Sequence, residues 1–189
     1  GSALSLTGQS PHRLPLAPRK AFSRPVGAIG QPAAVGVDGS LYLALVAPEL
    51  LRLDTRGEEV FRARLGSAAA VSSPAILADG HVAILTSAST VVFVTPRGRV
   101  SNTVPLPRSV VPRERGASAD QHYSLLPLVD GAVLVAGGDS VAIVERGGRV
   151  RWSLVLPERI AAELVPVSDG VALLGVTGAL YLVDSARGL

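Results

Sequence analysis

The chain has 189 residues with no cysteine, a mean hydropathy of +0.40 and 48% hydrophobic residues, which indicates a folded chain rather than a disordered one. The lack of cysteine excludes a disulfide framework, a thiolate metal site and a cysteine nucleophile. The formal net charge is only +3 and aromatic residues make up 4%, so we expect no nucleic-acid partner. No apolar run approaches the roughly 18 residues of a membrane-spanning helix, so we expect no transmembrane segment.

The first twenty residues differ in character from the rest. The chain starts Gly1-Ser2 without methionine, which we interpret as a remnant of cloning. The stretch GQSPHRLPLAPRK (8–20) is basic and rich in proline, as linkers often are. We therefore expect residues 1–20 to be a flexible arm and residues 21–189 to form the folded domain.

Three markers recur in the domain with a period of about 40 residues, which is typical of repeat architectures. Each unit contains a proline, then an Asp-Gly pair, then a second glycine. The prolines are Pro32, Pro74, Pro127 and Pro166; the pairs are Asp38-Gly39, Asp79-Gly80, Asp130-Gly131 and Asp169-Gly170; the second glycines are Gly57, Gly98, Gly148 and Gly188. We place the four units near residues 31–65, 73–107, 125–157 and 164–189.

Short apolar bursts within each unit predict β-strands. In the first unit AAVGV precedes Asp-Gly, SLYLALV follows it, LLRLD comes next, and EEVFRARL follows the second glycine turn. Asp-Gly supplies the positive φ of a tight hairpin turn. Four antiparallel strands repeated with this period predict an all-β fold, a β-propeller built of four-stranded blades.

The repeat core resembles that of the pyrroloquinoline-quinone-like (PQQ-like) propeller family. LLRLDTRGEEVF and AIVERGGRVRW are similar to the third strand, turn and fourth strand of that family, with an aromatic residue four positions after the glycine. Phe61 and Trp152 occupy that position in the first and third units, whereas Asn102 occupies it in the second. The family usually has seven or eight units, and this chain has four.

Strand counting predicts how the ring closes. The fourth unit has three strands, while KAFSRPVGAIGQP resembles the region around the fourth strand of unit one, with Phe22 aligned to Phe61. We therefore expect residues 21–27 to supply the strand that closes the last blade, burying its edge. A monomeric four-bladed ring is favoured. The alternative is a head-to-tail dimer in which each chain forms half of an eight-bladed ring.

One connector is a candidate binding loop. The segment RSVVPRERGASADQHYS (108–124) lengthens the link between the second and third blades and is polar and charged. Loops held by a rigid scaffold are where function concentrates. The candidate binding residues are Arg108, Arg113, Glu114, Arg115, Asp120, His122 and Tyr123. A solvated insertion without a ligand is the other interpretation.

A second candidate is a basic rim at the second glycine turns. One arginine lies at or beside this turn in every unit: Arg56, Arg97, Arg146 and Arg187. Arg64, Arg99 and Arg149 lie nearby in sequence. Clustered arginines can bind carboxylates or phosphates, but neighbouring acidic residues can also neutralise them. The repeated aspartates are explained by turn chemistry, and no histidine pair has metal-ligand spacing, so no metal site is expected.

The resemblance implies two classes of function. Quinone-dependent dehydrogenases carry such repeats, but the chain lacks the adjacent cysteines that many of them use and shows no set of calcium-binding and catalytic carboxylates. We therefore expect no catalytic residues, no cofactor and no enzyme activity. The favoured function is a protein-binding scaffold, resembling the periplasmic or extracytoplasmic propeller lipoproteins of outer-membrane assembly. A carbohydrate-binding or small-ligand-binding propeller and a dehydrogenase fragment are the alternatives.

Overall fold

The computed structural model describes residues 22–107, 123–162, 164–167 and 170–184. All regular structure in these ranges is β-strand, so the prediction of an all-β fold is confirmed. The described part of the chain contains no helix long and apolar enough to cross a membrane.

Fifteen strands follow the predicted repeat. Blade one contains β1 (Ala34–Val35), β2 (Leu41–Ala44), β3 (Glu49–Leu53) and β4 (Glu59–Arg64). Blade two contains β5 (Ala75–Ile76), β6 (Val82–Leu85), β7 (Thr90–Val94) and β8 (Val100–Pro105). Blade three contains β9 (Tyr123–Pro127), β10 (Ala132–Gly137), β11 (Ser140–Glu145) and β12 (Val150–Val155). Blade four contains β13 (Val165–Val167), β14 (Gly170–Leu174) and β15 (Leu180–Asp184).

Each blade is one antiparallel sheet whose strands pair in chain order. The first three sheets have four strands, and the fourth has three among the described residues. The two centre strands of a blade are the most apolar because both of their faces are covered by neighbouring blades. β10, for example, is buried along its whole length. This explains why the central strands read as continuous apolar runs rather than as alternating patterns.

The Asp-Gly turns have one geometry in the first three blades. Gly39, Gly80 and Gly131 have φ between 78° and 82°, as predicted. Among the described residues, Ser89 is the only residue other than glycine with a positive φ. In the first turn Gly39 N donates to Gly36 O, and Gly36 N donates to Ser40 O. This is a type I turn followed by a left-handed glycine, a common hairpin loop. Only the glycine of each pair therefore needs the unusual backbone conformation.

The second glycine turns also repeat. Gly57, Gly98 and Gly148 each have positive φ. Just before each turn, the pairing of the third and fourth strands shifts by one residue, at Arg52/Leu53, Phe93/Val94 and Ile143/Val144. This shift is a β-bulge, which increases local strand twist. The β-bulges therefore recur with the same period as the sequence markers.

Antiparallel chain order sorts the loops onto two faces. In blades one to three the Asp-Gly turns and the second glycine turns lie at the same end of the sheet, which we call the turn face. The links between β2 and β3 and the connectors between blades lie at the other end, which we call the connector face. β8 therefore ends and β9 begins on the connector face, whereas Arg56, Arg97 and Arg146 lie at the turn face.

The core consists of layers between consecutive blades. One cluster joins blades one and two, a second joins blades two and three, and a third joins blades three and four. Fully buried members include Leu50, Phe93 and Ile143. Burial of a large aliphatic or aromatic side chain contributes roughly 1.5–3 kcal/mol, so these layers hold the row of blades together. None of these clusters of described residues joins blade one to blade four.

Residues 22–28 do not form the predicted closing strand. They carry no strand pairing, and among the described residues β15 pairs with β14 alone. The segment lies against blade one instead. The ring of Phe22 covers Gly57, Arg24 Nη1 donates to Gly57 O at 3.0 Å, and Val26 packs against the buried leucines of blade one. Closure within one chain is therefore absent from the described strand pairings.

Candidate functional site

The candidate binding loop lies almost entirely outside the described residues. This applies to Arg108, Arg113, Glu114, Arg115, Asp120 and His122. Tyr123 is described: it opens β9 and pairs with Gly137. Partial burial raises the pKa of its hydroxyl, which stays protonated at neutral pH.

Tyr123 contributes to a cavity of about 220 Å³ beside the innermost strands of the blades. The cavity is lined by Ser73, Pro74, Tyr123, Ser124, Leu125, Leu126 and Leu164. The main-chain and hydroxyl groups here are mixed with leucines, and the lining carries no charged side chain. Because β9 starts where the candidate loop ends, this cavity lies next to the point where the loop joins the fold.

The described rim arginines lie on the turn face. Arg56, Arg97 and Arg146 occupy equivalent turns of blades one, two and three, and Arg187 lies outside the described residues. Arg64 does not belong with them. It stands at the far end of β4 opposite Glu49, on the connector-face side, because β4 runs away from the turn face.

The rim arginines differ in their contacts. Arg56 forms ion pairs within its own turn, with Asp54 at 3.3 Å and Glu58 at 3.7 Å. Arg146 reaches the neighbouring blade, where Nη1 contacts the Asp79 carboxylate. Arg97 is exposed and has no ion pair with any residue that the structure describes. Of the three described rim arginines, Arg97 alone has no ion pair with a described residue, while Arg56 pairs within its own turn and Arg146 pairs with Asp79 of blade two.

The aspartates of the Asp-Gly pairs have structural contacts. In blades one to three, one carboxylate oxygen accepts the backbone N–H two residues later: Ser40, His81 or Ala132. The other carboxylate oxygen accepts a hydrogen bond from an arginine guanidinium group, that of Arg52, Arg146 or Arg151 respectively. These contacts lower the pKa of Asp38, through the Ser40 backbone first, and that of Asp130, through Arg151 first. Across the residues described, no cluster of potential metal ligands occurs.

Arg52 and Arg151 were missed by sequence reasoning, and both organise this face. Arg52 Nη2 donates to Asp38 at 2.7 Å and to Ser40 Oγ at 3.2 Å, while Nη1 reaches Pro96 O of blade two at 3.3 Å. Its guanidinium also lies 5.4 Å from the centre of the Tyr42 ring. The two arginines come from different strands, β3 and β12, so no repeat spacing marks them.

Blade three carries the densest charge cluster. Glu145 accepts Arg149 Nη2 at 2.6 Å and Arg151 Nε at 3.0 Å, and Arg151 Nη2 also reaches Asp130 at 2.6 Å. The two arginines, Arg149 first, lower the pKa of Glu145 from its usual 4.5 to about 2. Glu145 is therefore ionised at any physiological pH and orients both guanidinium groups.

A groove on the turn face collects these groups. Its volume is about 430 Å³, and it runs between the Asp-Gly turns of blades two and three. The lining residues are Ala78, Asp79, Val129, Asp130, Gly131, Ala132, Glu145, Arg146, Gly147 and Arg151. Val129 is fully exposed at the tip of its turn. The groove therefore presents ordered charges beside an uncovered apolar side chain.

The architecture is that of solved β-propellers. BamB from Moraxella catarrhalis matches with a TM-score of 0.68 at 17% identity, over 86% of this chain and 48% of that one. A streptogramin B lyase matches with a TM-score of 0.59 at 15% identity, over 84% and 54%. A catalytically inactive virginiamycin B lyase from Staphylococcus aureus, with quinupristin, matches with a TM-score of 0.62 at 13% identity, over 85% and 56%. The predicted propeller class is confirmed, and the chain spans about half the length of these proteins.

No protein-family model matches the chain, and no curated protein matches it in sequence. The PQQ-like assignment of the repeats therefore stays a prediction. The expectation that the chain is not an enzyme was wrong. The solved structures that share its fold include lyases, so the fold does not exclude enzyme activity. That expectation relied on missing dehydrogenase features, and the same propeller architecture carries other chemistry.

Proposed function

We propose that this chain is a propeller scaffold that binds another protein through its turn face. The observation that carries the proposal is the groove between blades two and three, where paired charges surround the exposed side chain of Val129. Protein interfaces combine apolar contacts with arginine and a polar rim. This surface has the same combination.

The shape of the groove favours a polypeptide over a small molecule. Small-molecule sites are enclosed and mostly apolar, with a few polar groups. Here half of the lining residues are charged, their carboxylates and guanidinium groups already bond one another, and the exposed Val129 stands at the tip of its turn. Val37 lies at the equivalent turn of blade one and is also fully exposed. A partner that crosses several blades would cover both valines.

The charges indicate the character of the partner. In blade three, Glu145 and Asp130 balance the charges of Arg149 and Arg151. Arg97 and Arg99 of blade two have no ion pair with any described side chain. A partner segment with an acidic residue facing blade two would complete this surface. Because such exposed pairs are screened by salt, binding should weaken as ionic strength rises.

The location follows from the same analogy. The repeats resemble those of the propeller lipoproteins of outer-membrane assembly, and BamB is among the structures that share the fold. We propose an extracytoplasmic location, where the propeller positions a partner protein. The loop 108–124, which links β8 to β9 in the sequence, is a second candidate for the same function.

Site-specific photo-crosslinking in cells tests the proposal. A photoreactive amino acid at Val129 or Val37 should give a protein adduct. The matched control is Val155, which is 45% exposed at the connector-face end of β12 and should give none. Charge reversal by Arg97→Glu should reduce the Val129 adduct. Equal labelling at all three positions, or none at the two turn tips, would contradict a turn-face interface.

A further inference from the structure

We propose that two copies of this chain join head to tail, with residues 22–28 of each copy pairing with the free edge of β15 in the other. Blade one of each copy would then cover the outer face of blade four of its neighbour. The partner is a second copy of this chain, and two equivalent junctions close the assembly. This proposal replaces the expectation of a monomeric ring, and it is independent of the proposed turn-face partner.

Blade four has one covered face and one uncovered face. Val171, Leu173 and Val183 pack against blade three. Alternate residues point the other way, and there Leu180 and Leu182 are 74% and 60% exposed. Their equivalents in blade three, Val141 and Ile143, are fully buried by blade four. Val165, Val167 and Leu174 extend the exposed apolar face.

β15 is the edge strand of its sheet among the described residues, and from Leu180 to Val183 its outer side has no strand partner there. β15 pairs with β14 through five residue pairs, and its other edge has no partner among the described residues. In each of the other blades the third strand pairs on both sides. An open edge beside an exposed apolar face is a template for another strand.

Blade one shows the complementary arrangement. Phe22 covers Gly57 in the way that Phe61 of blade one covers Gly98 of blade two. Ile29 bridges to Leu45, as Ala70 bridges to Thr86 one blade later. Residues 22–30 therefore follow the path of an outermost strand that belongs to a preceding blade.

The preceding blade itself is not among the described residues, and the apolar residues it would cover are open. Ile29 is 52% exposed, whereas its equivalent in blade two, Ala70, is 6% exposed. Val35 is 66% exposed, whereas its equivalent Ile76 packs into the cluster between blades one and two. The two ends of the row thus present the two halves of one interblade contact.

Continuity with the internal interfaces identifies the occupant. The contact that joins blades one and two, two and three, and three and four would continue from blade four to blade one of a second copy. BamB is matched over 48% of its length, so two copies of this chain would be comparable in length to one such propeller. A head-to-tail contact closes when its rotation divides the circle, and the proposed dimer requires that two copies close it.

The internal blades also predict the register of the junction. Phe61 pairs with Arg52 in blade one, and Trp152 pairs with Ile143 in blade three. The equivalent pair is Phe22 with Leu182 of the second copy, and Arg24 would then face Leu180. Paired positions in antiparallel strands lie close enough for a disulfide.

Light scattering and cysteine cross-linking test the proposal together. The native chain should have twice its 19.4 kDa mass. Because the chain has no cysteine, a mixture of an Arg24→Cys chain and a Leu180→Cys chain should give one disulfide-linked dimer, and neither chain alone should cross-link. The chain carrying both substitutions should also give dimers.

The opposite outcomes overturn the proposal. A 19.4 kDa mass at every concentration, a disulfide within one chain of the double variant, or a ladder of larger species would each contradict two-copy closure. Leu182→Arg should convert the dimer to monomer. Val100→Arg is the matched control, since Val100 is 43% exposed in an interior blade and should leave the dimer unchanged. Circular dichroism establishes that both variants remain folded.

Discussion

The ring of Phe61 in blade one lies directly over Gly98 in blade two, so a Cβ on Gly98 would stand 2.5 Å from Phe61 Cγ. The same relationship joins Phe22 to Gly57, and Asn102 takes the place of the ring over Gly148. The spacing of an aromatic residue four positions after a glycine therefore has a packing cause. At these three turns, a side chain from the preceding outermost segment covers the glycine.

Gly98→Ala should destabilise the fold more than Gly131→Ala. Both glycines have a φ near 80°, which costs an L-residue about 1–2 kcal/mol, but only Gly98 is covered by a ring. Overpacking against Phe61 should add about 1–3 kcal/mol to the loss in Gly98→Ala. Urea unfolding measures both variants.

A double-mutant cycle separates the two causes. In a Phe61→Ala background the extra cost of Gly98→Ala should disappear, because the side chain that fills the space is gone. An unchanged difference between the two glycine variants in that background would show that the ring is not responsible.

Arg52→Lys should lower stability although it conserves the charge. The lysine cannot bond Asp38 and Pro96 O together, so the link between blades one and two is lost and the unfolding midpoint should fall. Arg56→Lys is the control, since Arg56 is 75% exposed and pairs only within its own turn, where a surface ion pair contributes little. Equal unfolding midpoints for the two variants would contradict this role for Arg52.

Glu145→Gln should change how stability depends on pH. Because folding lowers the pKa of Glu145 from 4.5 to about 2, its contribution is complete above pH 4.5 and disappears as the pH falls towards 2. The difference in unfolding free energy between the native chain and Glu145→Gln should therefore shrink over that interval. Parallel stability curves from pH 5 to about 2 would contradict the shift.

A direct titration complements this measurement. The titration of the Glu145 carboxyl group can be followed by nuclear magnetic resonance. Its midpoint should lie at higher pH in Arg149→Gln than in the native chain, because Arg149 is the largest cause of the lowered pKa. Arg151→Gln should have a smaller effect in the same direction. The order of the two shifts checks the geometry of the cluster.

Replacing residues 108–122 with a short Gly-Ser linker should leave the blades folded. β8 ends at Pro105 and β9 begins at Tyr123, so the strand pairing that the structure describes for blades two and three lies outside the replaced segment. The linker should match the connector between β4 and β5 in length, and thermal unfolding should change by a few degrees at most. A cooperative loss of blade three would contradict this separation.

Much of the fold could be predicted from residues close together in the chain. The marker glycines predict the turns, and the apolar runs predict the strands, because backbone conformation and burial impose local patterns. The alignment of Phe22 with Phe61 also anticipated an outermost strand, and the structure shows the same contact with a glycine turn. We also expected this segment to pair with β15, which is far away in the sequence. In the described structure β15 pairs with β14 alone.

The candidate site was less predictable. The rim arginines were visible as a repeat, but Arg52 and Arg151 acquire their contacts only when β3 and β12 meet neighbouring turns. Asp79 and Arg146 belong to different blades, and no sequence spacing distinguishes this pair from the local pair of Arg56 with Asp54. Side-chain contacts between blades depend on stacking geometry, which the repeat pattern does not encode.

By itself, the sequence determined the number of units, the all-β class and the sorting of loops onto two faces, since each depends on turn residues and strand order within about 40 residues. Only the tertiary structure decided which charges pair on the turn face and which apolar faces remain uncovered at Leu180, Leu182 and Val35. Burial and ion pairing depend on distances between blades, and those distances arise when the sheets pack.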